Sequence, residues 1–169
     1  MTVDYSVDAM YEIRRHLWEE LTLSKLIKPS DYYIENSGNE IIPIIPVQQQ
    51  PDLNQFLSGK THIVYDKIGM SYEENWMICC EKLLFTVYST DVSEINSIRN
   101  LMLDVFRRMD DSARDLNLSR STDKLIFHNT MVVETTPTEP SQELQGFLST
   151  DVIIEVKYSR TTDRLGRFN

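Results

Sequence analysis

Residues 76–89 read WMICCEKLLFTVYS, and this run decides the fold. It has the length and composition of a strand, and side chains alternate between the two faces of a strand. Its odd positions hold Met77, Cys79, Leu83, Phe85 and Val87, and its even positions are also largely apolar. A strand that is apolar on both sides must be covered on both sides, normally by a helix on one face and by another layer or another subunit on the other.

Two helices are predicted from apolar residues that recur every three or four positions. The first spans residues 7–26, with Ser6 or Asp8 as its N-cap. The second begins after Asp91, which precedes a glutamate at the spacing of a capping box, and it continues to about Asn117. At 1.5 Å per residue this second helix is about 40 Å long, and we expect it to pack across the sheet.

The predicted strands form two hairpins. Residues 61–68 pair with residues 76–89, and residues 124–134 pair with residues 148–159. The loop at 136–146 contains two prolines and a glycine, which argue against regular structure there. Hairpins imply a mainly antiparallel sheet, so the predicted fold is a single α+β domain over residues 1–169, with the long helix and the N-terminal helix packed on the sheet.

Two segments are not part of the predicted helices and strands. Residues 28–60 form an irregular arm, because prolines and glycines interrupt it repeatedly. A connection of this length usually either binds something or lies disordered, and its isoleucines favour binding, so the apolar patch is the candidate docking element. That patch contains Ile41, Ile42, Ile44 and Ile45. The C-terminal tail, residues 160–169, is basic and is either a frayed end or an arm that docks on an acidic neighbour. Its arginines are Arg160, Arg164 and Arg167.

The composition excludes several classes of protein. The chain has 169 residues, 41% of them hydrophobic, with a formal net charge of −9 and a pI near 4.8. That is enough apolar material for a core and too little glycine or proline for a linker or a collagen-like chain. An acidic chain is a poor reader of duplex DNA sequence. Neither a secretory signal nor an apolar stretch of membrane-spanning length is recognisable, which predicts a protein without a membrane partner.

The two cysteines, Cys79 and Cys80, are adjacent in the predicted strand. Their side chains would leave the strand in opposite directions, so a disulfide between them is geometrically poor. We predict two reduced thiols that pack as small apolar residues, which fits a reducing cytoplasm. A reactive or metal-binding pair is the alternative.

No sequence motif for catalysis, cofactor binding or metal binding is present, so we predict no cofactor and no enzymatic activity. The three histidines lack a second ligand at metal-binding spacing, and no phosphate-binding glycine loop occurs. The densest polar cluster lies near the end of the long helix. It contains Arg107, Arg108, Asp110, Asp111, Arg114 and Asp115. This cluster is a solvated helix face with pairs such as Arg107–Asp111, an intersubunit charge network, or a set of carboxylates for Mg²⁺.

Five short stretches together resemble a family of bacteriophage virion proteins. They are IVYD at 63–66, the run at 76–81, VYS at 87–89, FRRMDDSA at 106–113 with Asn117, and YSR at 158–160. The resemblance is to the tail-terminator, or tail-completion, family of tailed phages and covers about residues 60–160. The order of helix, hairpin, long helix and hairpin is also similar to the α+β fold of that family.

The resemblance implies a non-enzymatic structural protein of the virion, assembled in the host cytoplasm. Members of the family form a hexameric ring that caps the tail tube and presents a docking surface to the head. The implied partners are other copies of the chain, the tube protein and in some tails a sheath, neck or connector proteins, and the DNA that passes through the lumen without sequence-specific binding. Excess acid would face that lumen and repel phosphate.

The resemblance also suggests roles for particular residues. Arg107, Arg108, Asp110 and Asp111, with Arg114 beside them, become candidates for charges at the ring interface. Arg160, Arg164 and Arg167 become an arm toward the next ring, and the 136–146 loop and the apolar patch at 41–47 become contacts to the tube or connector.

The sequence is also compatible with two alternative functions. One is a neck adaptor on the portal side, which shares the ring but contacts a different partner. The other is a small metal-dependent nuclease that uses Asp110, Asp111 and Asp115.

Overall fold

The described residues form four α-helices and one six-stranded sheet. A computed structural model describes residues 8–32, 41–53, 56–72, 78–122 and 124–160. The helices are α1 (Ala9–Leu23), α2 (Gln50–Leu53), α3 (Val92–Val105) and α4 (Leu116–Ser119). The strands are β1 (Ile44–Pro46), β2 (His62–Tyr72), β3 (Cys79–Ser89), β4 (Leu125–Thr135), β5 (Glu139–Pro140) and β6 (Leu148–Arg160).

The strand order is β1-β2-β3-β6-β4, with β5 paired to the start of β6. The strand β1 runs parallel to β2, and every other pair is antiparallel. This mostly antiparallel sheet confirms the predicted α+β class and both hairpins. It places β3 and β6 side by side at the centre, where Phe85 lies opposite Val152.

One face of the sheet carries the core, and we call it the inner face. Leu83, Phe85 and Val87 of β3 are all buried on it, and alternate residues of β6 lie beside them. The helix α3 packs on β3 and β6, and α1 packs on α3. Among the described helices none is long and apolar enough to cross a membrane.

The predicted cap at Asp91 is confirmed, and of the two candidates for the first helix Asp8 is the cap, while Ser6 lies outside the described residues. The Asp8 carboxylate accepts a hydrogen bond from Met10 N at 2.9 Å, and the Asp91 carboxylate accepts one from Ser93 N at 2.9 Å. Each cap satisfies an amide that has no partner within its helix, which fixes where the helix begins. The caps thus set the first residues of the apolar stripes of α1 and α3.

The predicted end of the long helix is wrong. The helix α3 has 14 residues, about 21 Å, and it ends at Val105 rather than near Asn117. Beyond Phe106 the side chain of Asp110 accepts a hydrogen bond from Ser112 N at 3.2 Å, and Asp115 caps the separate helix α4. Short polar side chains that bond to nearby amides compete with helix formation, and the charged residues at 107–115 lie in turns and bends ahead of α4.

The predicted irregular arm is partly regular. Residues 29–32 form a 3₁₀ turn, and Ile44–Pro46 form the edge strand β1 beside β2. Ile44 and Ile45 have exposed fractions of 0% and 1%, so their predicted role in docking a partner is wrong. Ile41 and Ile42 are half-buried. The guanidinium of Arg14 on α1 donates to the carbonyls of Ile44 at 2.6 Å and Ile42 at 3.4 Å, which holds the patch against the core.

Candidate functional site

The face of the sheet opposite α1 and α3 is only partly covered, and we call it the outer face. Leu84 of β3 lies opposite Ile153 of β6 on this face, and both are half-buried. In the next row Lys82 lies opposite Glu155, which lies opposite Met131 of β4, and Met131 is 45% exposed. Polar and apolar residues are mixed here, so the outer face differs from the buried inner face.

One end of the outer face is covered by the chain itself. Tyr88 stacks on His62 with ring centroids 5.1 Å apart, and Phe147 meets both rings edge-on. Leu144 and Phe147 belong to the turn between β5 and β6 and pack against the core. The predicted second cover of β3 is therefore intramolecular at this end, while the middle of the strand stays open.

A groove of about 450 Å³ lies at the border between the covered and open parts. Its floor is formed by Leu84, Thr86 and Tyr88 of β3 with Asp151 of β6. The segment 136–143 forms its wall, including Glu139 and Glu143. Because three carboxylates line it, we call it the acidic groove. The loop predicted to be irregular contributes here as a structured wall, since Glu139 and Pro140 form β5.

Hydrogen bonds fix two of the three carboxylates. Thr86 Oγ1 donates to Asp151 Oδ1 at 2.8 Å, and Tyr88 Oη donates to Glu143 Oε2 at 3.1 Å. Burial, reinforced by the charge of Glu143, raises the pKa of Tyr88 to about 12, so this hydroxyl keeps its proton at neutral pH. Both donors are uncharged hydroxyl groups and leave the negative charges of the carboxylates in place.

His62, Tyr88 and Phe147 form an aromatic cluster, in which His62 has an exposed fraction of 1%. Its Nδ1 lies 2.9 Å from the carbonyl of Lys60, and its buried Nε2 has no hydrogen-bond partner. A carbonyl can only accept, so Nδ1 carries the proton and Nε2 has the free lone pair. Burial disfavours the imidazolium and lowers the pKa of His62, against a smaller opposing effect of the Lys60 carbonyl.

We expect the stability of the protein to fall in acid partly through His62. With a lowered pKa in the folded state, its contribution is present above the unfolded value near 6.5 and is lost as the pH falls. The His62→Phe variant keeps an aromatic ring against Tyr88 and removes the titrating group. Urea unfolding at pH 7 and pH 5 should show a smaller decrease in the variant, by at most about 1.4 kcal/mol per pH unit. Equal decreases in both proteins would contradict this assignment.

Two arginines of the predicted charge cluster pair with acidic residues of the same chain. The Arg114 guanidinium donates through Nε to both carboxylate oxygens of Glu20 on α1, at 3.0 and 3.1 Å. Arg108 pairs with Asp104 and lies 3.9 Å from the same glutamate. Glu20 is only 3% exposed. Arg108 and Arg114 therefore neutralise a buried carboxylate of their own chain, while the Arg114 side chain remains 50% exposed. Their role as ring-interface charges stays a prediction.

The remaining members of the cluster separate from one another. Arg107, Asp110 and Asp111 are exposed, and the predicted helical Arg107–Asp111 pair does not form because these residues lie beyond α3. The Ser112 hydroxyl donates to Asp110 and lowers the pKa of that carboxyl. Asp115 is buried as the N-cap of α4. Across the described ranges no three His, Cys, Asp or Glu side chains form a group that could hold a metal ion.

A second buried carboxylate lies on the inner face. Glu81 is 2% exposed and accepts a hydrogen bond from Tyr158 Oη at 3.0 Å through Oε2. Its Oε1 lies 3.6 Å from Lys67 Nζ, an ion pair too long to count as a hydrogen bond. This cluster ties β2, β3 and β6 together and has the character of a structural site. The neighbouring Cys79 and Cys80 are both free, as predicted.

The predicted C-terminal arginines lie only partly within the described residues. Arg160 lies at the end of β6, with its guanidinium 5.8 Å from the centre of the Tyr158 ring, and Arg164 and Arg167 lie outside the described residues. Sequence reasoning missed the acidic groove and the cluster around His62. The signal for both was Tyr88, an aromatic residue on the second apolar face of β3.

No protein-family model matches the chain, and none of the curated proteins matches it.

Proposed function

We propose that this protein is a structural subunit of a phage virion that assembles with copies of itself into a ring at the end of the tail tube. The ring caps the tube and offers the surface to which the head, through its neck or connector proteins, is joined. The observation that supports self-assembly is the outer face, where Leu84, Ile153 and Met131 remain partly exposed, whereas the central residues of the inner face are buried. A sheet with one uncovered face gains stability by burying it against a partner.

The assignment to the tail rests on the resemblance of the five short stretches to tail terminators. In a ring, each subunit offers different surfaces to its two neighbours, and the outer face and the exposed turn around Asp110 and Asp111 are two such surfaces. An acidic lumen would keep the passing DNA from binding, and the net charge of −9 supplies the acid.

We expect native mass spectrometry of the purified protein to show a closed oligomer, with six copies as the expected number. The protein should also co-sediment with isolated tails that lack heads. A stable monomer at all concentrations would contradict the proposal. An oligomer that binds only to heads and connectors would replace the terminator role by that of a neck adaptor.

A further inference from the structure

The acidic groove lies beside the start of β6 and carries negative charge, whereas the C-terminal segment that follows β6 in the sequence is basic. We propose that the acidic groove of one subunit binds the segment around Arg164 and Arg167 of a second subunit. This inference deepens the self-assembly in the proposed function and rests on it. The occupant is a second copy of the chain, bound through its C-terminal arginines.

The chemistry of the groove fits this occupant. Glu139 and Glu143 on the wall and Asp151 on the floor present carboxylates, and Leu84, Pro137 and Pro140 give the same groove an apolar lining. The sequence 164–167 reads RLGR, so a leucine stands between two arginines. An arginine donates two parallel hydrogen bonds to one carboxylate, and the leucine would pack on the apolar lining.

The polar contacts inside the groove favour a cationic guest. Asp151 and Glu143 are held in place by the hydroxyls of Thr86 and Tyr88, so their positions are fixed before a partner arrives. A pre-positioned carboxylate loses little conformational freedom on binding, which favours affinity. The remaining carboxylate oxygens can accept from a guanidinium without breaking either bond.

The distance along β6 indicates that the arginines come from another copy. From Asp151 to Arg160 the strand advances nine positions, which is about 30 Å at 3.3 Å per residue. Arg164 follows Arg160 by four positions and reaches at most about 14 Å further. A chain that turned back along its own strand would therefore leave Arg164 well short of its own groove, and Arg167 would reach it only at full extension.

Docking between copies would be directional. Each subunit would insert its basic segment into one neighbour and receive that of the other neighbour in its own groove. Such head-to-tail contacts form a ring when the rotation closes, because the donor and acceptor surfaces differ. This assigns the groove side of the outer face to one neighbour and the end of β6 to the other.

A charge-exchange experiment tests the contact. We expect Glu143→Lys and Arg167→Glu each to weaken self-association at least about tenfold, measured by sedimentation equilibrium in low salt. The double variant should recover much of the loss, because the opposite charges meet again with their positions exchanged. Glu143→Gln removes the charge but keeps an acceptor for Tyr88, so it should preserve the fold. It should also weaken association, which would show that the effect of Glu143→Lys does not come from misfolding. Asp31→Lys reverses an exposed charge away from the groove and should have no effect.

A disulfide experiment separates contacts between copies from contacts within one chain. In a Cys80→Ser background, protein with Gln142→Cys is mixed with protein with Gly166→Cys and mildly oxidised. A disulfide-linked heterodimer that forms at low protein concentration supports the contact. A link that forms only when both cysteines are in the same chain, or association that neither charge variant changes, would overturn it.

The outcomes also distinguish this inference from the proposed function. A closed ring that persists in all charge variants leaves the ring intact and removes the groove contact. Chains that associate through the groove but never bind to tails support the contact and contradict the role in the tail. A strictly monomeric protein contradicts both.

Discussion

Replacing Phe85 by alanine should lower the free energy of unfolding by about 3–5 kcal/mol. Phe85 has an exposed fraction of 0% at the centre of the inner face, and its ring stacks on Phe106 with centroids 5.7 Å apart. Phe106 ends α3, so this contact fixes the helix on the sheet. Truncation would leave a cavity that the flanking strands cannot close.

Leu84→Ala is the matched control, since Leu84 is the neighbouring residue on the opposite face of the same strand. It is half-buried, and its truncation should cost less than about 1.5 kcal/mol in dilute protein. The same variant should weaken self-association, because Leu84 lies on the outer face. Chemical denaturation and sedimentation of both variants measure the two effects. Equal losses of stability at the two positions would contradict the assignment of the faces.

Arg108→Glu should destabilise the fold by roughly 3 kcal/mol rather than only weaken the oligomer. The Arg108 side chain is 13% exposed and lies between Asp104, Asp110 and the buried Glu20. A glutamate at this position would add a fourth carboxylate to the group and remove one of the two cations that face Glu20. The free energy of unfolding in urea is the measurement.

Arg107→Glu makes the same change of charge one residue earlier on an exposed side chain. We expect its effect on stability to stay within about 0.5 kcal/mol. An Arg108→Glu, Glu20→Gln double variant should recover part of the lost stability, because the carboxylate that repels the new glutamate is gone. If Arg108→Glu left the stability unchanged and only lowered the assembled mass, the result would contradict the structural role of Arg108 and support its predicted role at the ring interface.

The local signals in the sequence located most elements. Asp8 and Asp91 mark helix starts because each supplies an acceptor for amides that have no partner within the helix, and that geometry depends only on neighbouring residues. The apolar run at 76–89 and the strand-like pattern at 148–159 located both central strands, because such patterns are also local signals. The end of α3 was harder to predict. Its apolar periodicity continues to Leu116, but the chain leaves the helix at Phe106, and Asp110 and Asp115 then bond amides in the turns that follow.

The groove and the charge clusters depend on contacts between distant parts of the chain. Glu20 and Arg114 are 94 positions apart, and Tyr88 and Glu143 are 55 positions apart. Neither pair has a signature in sequence spacing. The burial of Ile44 and Ile45 could not be predicted either. A short apolar run is compatible with an exposed docking arm as well as with an edge strand of the core.

The amino-acid sequence by itself therefore determined the α+β class, both hairpins and the helix caps, because these follow from periodicity and from bonds between neighbours. It also determined that β3 needs two covers. Only the tertiary structure decided what provides them: α3 and α1 on the inner face, and the aromatic cluster on one end of the outer face. The open middle of that face and the acidic groove beside it exist because strands and turns that are far apart in sequence meet there.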